Sequence, residues 1–225
     1  MSNSVFIITI DGPTASGKGT LASKIAVELG FDYMDTGALY RGVAKTALDR
    51  GLNPANADDA IKAAKILHEN YNLSLQNDPD IRTEAVSKGA SEVAAVQTVR
   101  DILLDLQKNF SKQGQSDEAC VGVVMEGRDI GTVICPDADV KFFIDASAEV
   151  RAKRRFKQLN DKGVNADYDE ILKQLHIRDG RDIGRSIAPT VPAGDAVILE
   201  TSKMSANQVL KKALEIITSK YTPRY

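Results

Sequence analysis

Near the start of the chain, Asp11 to Thr20 read DGPTASGKGT. The spacing Gly12-x4-Gly17-Lys18 has an identifiable chemistry. Glycines let a loop turn its backbone N–H groups inward on phosphates, and a helix opening directly after the loop aims its positive end at the same anions. Lys18 has the reach to touch the outer phosphates of a nucleoside triphosphate. In the common form of this loop a Ser or Thr follows the lysine and helps hold Mg2+; here Gly19 takes that place and Thr20 comes next. No Asn-Lys-x-Asp guanine-reading run follows downstream, which disfavours a GTPase switch.

Three further runs carry charge in patterns suited to a second ligand. Asp35-Thr-Gly-Ala-Leu-Tyr-Arg41 ends on an arginine that reads either as a bidentate phosphate clamp or as a surface ion-pair partner. Glu126-Gly-Arg-Asp-Ile-Gly-Thr132 puts Arg128 and Asp129 between glycines, as a binding turn or a structural ion pair. Arg178-Asp-Gly-Arg-Asp-Ile-Gly-Arg185 puts Arg178, Asp182 and Arg185 at i, i+4, i+7, on one helix face that is either a site or a solvated ion-pair stripe. Arg151, Arg154 and Arg155 share a basic helical stretch that covers transferring phosphates as a lid or faces water.

Positioning these runs requires a frame. Val5–Ile10 is apolar and β-branched throughout, the pattern of a strand buried on both faces. Leu21, Ile25 and Leu29 then line one face of a helix that stops at Gly30. Phe31–Met34, Val121–Met125, Val140–Ile144 and Ala196–Leu199 complete a set of five strands. Helical patterns cover Gly37–Leu48, Asp58–His68, Val93–Phe110, Ala148–Leu159 and Ala206–Ser219, the last opened by a Ser205/Gln208 capping box. Strands alternating with helices predict an α/β chain with a doubly wound parallel sheet. DGPTASGKGT then lies between the first strand and its helix, and the runs beginning at Asp35 and Glu126 follow the second and third strands, where open α/β sheets bind ligands. The segment 52–89 breaks the rhythm. Its helix is followed by the alternation Tyr71, Leu73, Leu75 and the turn Asn77–Asp80, which reads as a small insert.

Composition narrows the class. The chain has 225 residues, 43% hydrophobic and 27% charged, with a formal net charge of −2, so a general nucleic-acid binder is not expected and any basic site is local. Cys120 and Cys135, without CxxC spacing, read as reduced thiols of a cytosolic protein. Val5–Ile10 is too short to span a membrane and lacks the basic flank of a signal peptide.

Over most of its length the chain resembles the bacterial-type cytidylate kinases, in TIDGPTASGKGT, DTGALYR, SEVAAVQTVR, GRDIGTVICPDADVKFFIDAS, RAKRRFKQL, RDGRDIGR and the PxxPAGDA of Pro189–Ala196. Adenylate kinases share GKGT but not the GRDIGTV turn or the RDxRDxxR helix. The resemblance implies a phosphate-loop nucleoside-monophosphate kinase fold. It also implies a single core domain over 1–225, a nucleotide-binding insert at about 52–89 and a short lid at about 150–166. The implied reaction moves the γ-phosphoryl group of ATP to CMP or dCMP, with Mg2+, in a cytoplasmic monomer. By the same resemblance Gly12, Pro13, Thr14, Ala15, Ser16, Gly17, Lys18, Gly19, Thr20 and Arg155 hold ATP. Ser91, Arg100 and Asp129 read cytosine, Arg178 and Asp182 hold the sugar, and Arg41, Arg128 and Arg185 hold the acceptor phosphate, with Thr36 beside them. Lys18, Arg128 and Arg185 are the catalytic set. Thr20 touches the metal, with Asp11 and Asp35 as outer partners. Arg151, Arg154 and Arg155 belong to the lid. Two departures from the family stand out: the insert is shortened, and Thr190 stands where an apolar residue is common. A phosphate nucleophile, largely ionised at neutral pH, requires no general base, and the two histidines, His68 and His176, lie outside these motifs. A kinase of a small metabolite and a non-catalytic ATP-binding regulator are the rival readings.

Overall fold

A computed structural model of the chain describes residues 5–115, 120–161, 163–185 and 187–221. Its centre is a five-stranded parallel sheet in the order β2-β3-β1-β4-β5. The strands are β1 (Phe6–Asp11), β2 (Asp32–Asp35), β3 (Gly122–Glu126), β4 (Val140–Asp145) and β5 (Val197–Glu200). The helices are α1 (Lys18–Leu29), α2 (Thr36–Asp49), α3 (Ala57–Glu69), α4 (Glu84–Val93), α5 (Gln97–Gln113), α6 (Ala148–Asn160), α7 (Tyr168–Gly184) and α8 (Ala206–Thr218). The order reverses between β1 and its neighbours β3 and β4, and the carboxyl ends of these strands form the crevice that a doubly wound sheet offers to ligands.

Both faces of the sheet are covered, as the unbroken apolar strands require. On one face Leu21 and Ile25 of α1 and Val209, Ala213 and Ile217 of α8 pack against Ile8, Ile10, Phe142 and Ile144. On the other, Met34, Val123 and Met125 meet Phe110 of α5 and Ile130 and Ile134. A second core joins α2, α3 and α5 through Leu39, Val43, Ala60, Ala63, Ala64, Val99 and Leu103. The predicted Ser205/Gln208 capping box is present.

Two local expectations are corrected. The alternation Tyr71, Leu73, Leu75 is not extended: Leu73–Asn77 and Pro79–Arg82 are 3-10 turns. Asn72 starts the first by accepting the Ser74 N–H at 2.8 Å, and Asp78 starts the second by accepting the Asp80 N–H at 2.8 Å. These local bonds win over a short apolar alternation. This segment docks through a side chain instead. The Gln76 amide accepts from Asp35 N at 2.9 Å and donates to Tyr33 O at 3.3 Å, continuing the ladder at the free edge of β2 as a peptide group would. The helix predicted over Val93–Phe110 starts later, as α5 at Gln97, and Val93 is the last residue of a separate helix, α4. Val93, Val96 and Val99 keep the apolar spacing, but Ala95 and Val96 bond to Glu92 and Val93 three residues back and break the helix between α4 and α5. SEVAAVQTVR spans that break, so Ser91 and Arg100 sit on different helices.

Candidate active site at the carboxyl edge of the sheet

The loop after β1 is shaped by contacts that only its own residues allow. Gly12 has φ 142°, and a Cβ there would stand inside the van der Waals radius of the Ile144 carbonyl oxygen on β4. Gly12→Ala is therefore expected to destabilise the fold by about 2–5 kcal/mol, read as a lower denaturation midpoint. Beneath the loop, Asp11 accepts the N–H groups of Ile130 and Gly131 at 2.9 and 2.8 Å. Those donors belong to a wide π-type turn, Ile130–Ile134, in which Cys135 N bonds Ile130 O at 2.7 Å. Burial pushes the Asp11 carboxyl up to about 6 against the pull of these two N–H groups. Asp11 thus props the GRDIG turn under the loop and does not line the cavity, which corrects its expected place near the metal.

Lys18 opens α1 and is buried. Its Nζ donates to Pro13 O at 2.9 Å. Burial, and then Arg128, lower its pKa to about 7, with Glu126 opposing. Gly19 explains the unusual GKGT spelling. A Cβ at position 19 would lie 2.9 Å from Glu126 Oε1, and that carboxylate is buried and accepts the Tyr33 hydroxyl at 2.7 Å. A carboxylate from the end of β3 thus crowds the position where other loops carry a hydroxyl. Burial, and then Asp35, raise the Glu126 pKa. Sequence reasoning assigned Glu126 no role; its place as the last residue of a buried strand, facing the loop, was the available signal.

A cavity of about 870 Å3 opens above this loop. It is lined by Thr14, Ala15, Ser16, Gly17, Lys18, Gly19 and Thr20 from the loop, Thr36 and Arg41 from α2, and Ser91 from α4. Arg100 of α5, Arg128 and Asp129 of the turn, Arg155 of α6, and Arg178, Asp182 and Arg185 at the end of α7 complete the predicted set. Gly12 and Pro13 shape the loop from behind and do not line the cavity. Residues far apart in sequence therefore converge, and the ion-pair alternatives are part of the same arrangement. Arg41 donates to Asp35, and Arg100 donates to Asp129 in a buried pair with its guanidinium 5.6 Å from the Tyr40 ring centroid. Asp182 is the hub: Arg128 Nε is 3.1 Å away, Arg185 Nη2 3.8 Å and Arg178 Nε 4.0 Å. Burial would raise its carboxyl, but the three guanidiniums outweigh burial and hold it below the ordinary value. Arg128 also donates to Thr14 Oγ1 at 2.6 Å, tying the GRDIG turn to the loop.

The basic helix α6 divides its labour. Arg151 is buried, donating to Asp179 at 2.6 Å and to Thr14 O at 3.2 Å, and Arg154 holds Ser16 O and Thr201. Both are struts of the loop, and Arg154 also lines the cavity. Arg155 reaches the cavity with only Gln158 as a side-chain partner among the described residues. Lys162, within the expected lid, lies outside the described residues. Thr190 is buried with its hydroxyl 3.5 Å from Arg185, so this departure touches the site.

The lining carries nine Lys and Arg side chains against four Asp and Glu, in a chain whose formal net charge is −2. Ser16 Oγ, Arg41 Nε, Ser91 Oγ and Arg178 Nε are buried there without a hydrogen-bond partner among the described residues.

The chain is 47% identical over 214 residues to a cytidylate kinase of Paramagnetospirillum magneticum, covering 95% of this chain and 98% of that protein. It is 45% identical over 214 residues to a cytidylate kinase of Rhodospirillum rubrum, with the same shares covered. The fold is also similar to that of an uncharacterized protein from Eubacterium ventriosum, with a TM-score of 0.55 and 14% identity over 95% of this chain and 99% of that one. No helix among the described residues is long and apolar enough to cross a membrane. The family model described as cytidylate kinase matches residues 8–219, and the chain belongs to that family.

Proposed function

We propose that the chain transfers the γ-phosphoryl group of ATP to CMP or dCMP within this cavity, giving ADP and CDP or dCDP. The observation that carries the reading is the local surplus of positive charge around one cleft that also holds the buried carboxylate–guanidinium pair of Asp129 and Arg100. Thr14 to Thr20 and Arg155 hold ATP, on a loop that Gly12 and Pro13 shape from behind. Arg41, Arg128 and Arg185, with Thr36 beside them, hold the acceptor phosphate. Arg178 and Asp182 hold the sugar, and Ser91, Arg100 and Asp129 read the base. The reaction runs in the cytoplasm in a monomeric chain, and closure of the 52–89 insert and the α6 lid keeps water from the donor phosphates.

Both reacting groups are anions and repel each other. With the acceptor phosphate already ionised, the protein supplies position and countercharge rather than a base. Lys18, Arg128 and Arg185 stand where charge shifts from the acceptor oxygen to the leaving diphosphate. Near Lys18 the cavity offers the Thr20 hydroxyl and the carboxylates of Glu126 and Asp35, hard oxygen donors of the kind Mg2+ takes. Thr20 would be the direct contact, and the bound ion would screen the phosphate charges.

A coupled ADP-release assay over CMP, dCMP, UMP, AMP, GMP and small alcohols tests the reaction. Turnover stimulated by CMP or dCMP, with little from AMP or GMP, supports it; stimulation by an alcohol but not by CMP overturns it. The lowered Lys18 pKa gives an independent check. Lys18, near 7 in the free protein, regains an ordinary ammonium pKa beside phosphates. ATP binding is therefore expected to take up almost no proton at a pH of about 6, and close to one at a pH of about 8. Calorimetry in buffers of different ionisation enthalpy measures this, and uptake that does not rise with pH counts against Lys18 as the phosphate contact.

A further inference from the structure

Arg82 has none of the roles assigned above, yet it lines the same cavity and is the one cationic side chain that the 52–89 insert places there among the described residues. It closes the second 3-10 turn. Its Nη2 donates to Gln76 O at 3.0 Å and stands 3.6 Å from Asp35 Oδ2. That oxygen already accepts from Arg41, so one carboxylate serves two guanidiniums. The Arg82 side chain is 50% exposed, which leaves donors of its fork facing the open cleft. It also sits on the anchor of the insert, since Gln76 is the residue whose amide bonds the edge of β2.

Arg155 of α6 lines the same cavity, with Gln158 as its side-chain partner and no carboxylate within ion-pair distance among the described residues. Burial lowers the Arg155 pKa first and repulsion from Arg82 next, with Glu84 opposing. Two like charges lining one cleft repel each other and favour its opening. A polyphosphate between them reverses the sign of the interaction and draws both side chains inward. Only a complete donor–acceptor pair puts phosphates along the whole gap from the loop to Asp35.

We propose that Arg82 is a further positioning residue for phosphoryl transfer: it grips the phosphates of the assembled nucleotide pair from the insert while Arg155 grips them from α6, so that the insert closes on the pair and not on ATP alone. The competing role is a structural tether through Asp35 and Gln76.

Arg82→Gln and Arg82→Lys, with thermal midpoints recorded, separate the two. For Arg82→Gln, kcat/KM for CMP is expected to fall about ten- to a hundredfold, the range for losing a charged hydrogen bond. Affinity for a bisubstrate analogue joining adenosine and cytidine through a polyphosphate falls by a similar factor. Affinity for ATP alone stays within about twofold and the thermal midpoint is unchanged, because an exposed cation is removed. Arg82→Lys recovers part of the loss. Parent-like turnover and analogue affinity in Arg82→Gln overturn the proposal. So does an equal loss of ATP binding with a lowered midpoint, the signature of a tether. The proposal rests on the CMP reading, whose own failure shows separately as a parent enzyme that CMP does not stimulate.

Discussion

Lys18→Met is expected to lower kcat by about a hundred- to a thousandfold, the scale of losing one preorganised donor aimed at developing charge. Methionine keeps the packing of the aliphatic stem, which is buried under the loop, and removes only the ammonium. In the free protein that ammonium donates to Pro13 O, a bond it can exchange for a phosphate oxygen without moving its stem. Its burial is a cost in the folded state, seen in its lowered pKa, so its removal does not weaken the fold in proportion. The thermal midpoint is expected to stay near that of the parent while turnover collapses. The KM for ATP should rise less than kcat falls, because on the proposed reading Thr14 to Thr20 would still offer backbone N–H groups to the phosphates. Steady-state kinetics with ATP varied at saturating CMP measures the split. A variant that keeps kcat and loses only ATP affinity would reduce Lys18 to a binding group.

Much of the frame was legible because local rules and tertiary demand agree. Val5–Ile10 must be buried on both faces, a glycine loop must follow, and Leu21, Ile25 and Leu29 must share a face; the sheet then needs partners of the same kind. Motif spelling carried the site in the same way, since each charged run directly follows a strand or ends a helix at one edge. What failed was local competition. Asn72 and Asp78 redirect the chain into 3-10 turns by bonds that apolar alternation does not register. The α4–α5 break is hidden because Val93, Val96 and Val99 keep the spacing of a helix that has ended. Roles that depend on distance were hidden as well. Asp11 is spent on the turn beneath the loop, Arg151 and Arg154 on holding the loop, and Glu126 gains its meaning only from the space that Gly19 leaves.

Asp129→Ala is expected to impair CMP use far more than ATP binding, with kcat/KM for CMP down at least about ten- to a hundredfold. Asp129 lies three residues beyond the end of β3, is buried, and is held by Arg100, whose own guanidinium is buried beside Tyr40. Burial raises its carboxyl pKa, and Arg100 is the largest opposing influence, so the pair is set to present one acceptor and one fork of donors side by side. Cytosine offers the matching edge, an amino donor next to a ring-nitrogen acceptor. Uracil reverses the first relation and turns a carbonyl toward the carboxylate, leaving a buried acceptor unpaired at a cost of about 1–3 kcal/mol. Removing the carboxylate therefore removes both the gain with CMP and the penalty with UMP, and the preference for CMP over UMP should shrink along with the rate. Alanine also strands Arg100 as a buried, unpaired cation, and that cost appears in the thermal midpoint. Asp129→Asn separates the two effects, because it keeps the volume and an acceptor oxygen while losing the charge. Discrimination in the asparagine variant should lie between parent and alanine. Equal losses of CMP use and ATP binding in a variant that remains folded would place Asp129 among the supports of the cleft and leave the reading of the base to Ser91 and Arg100.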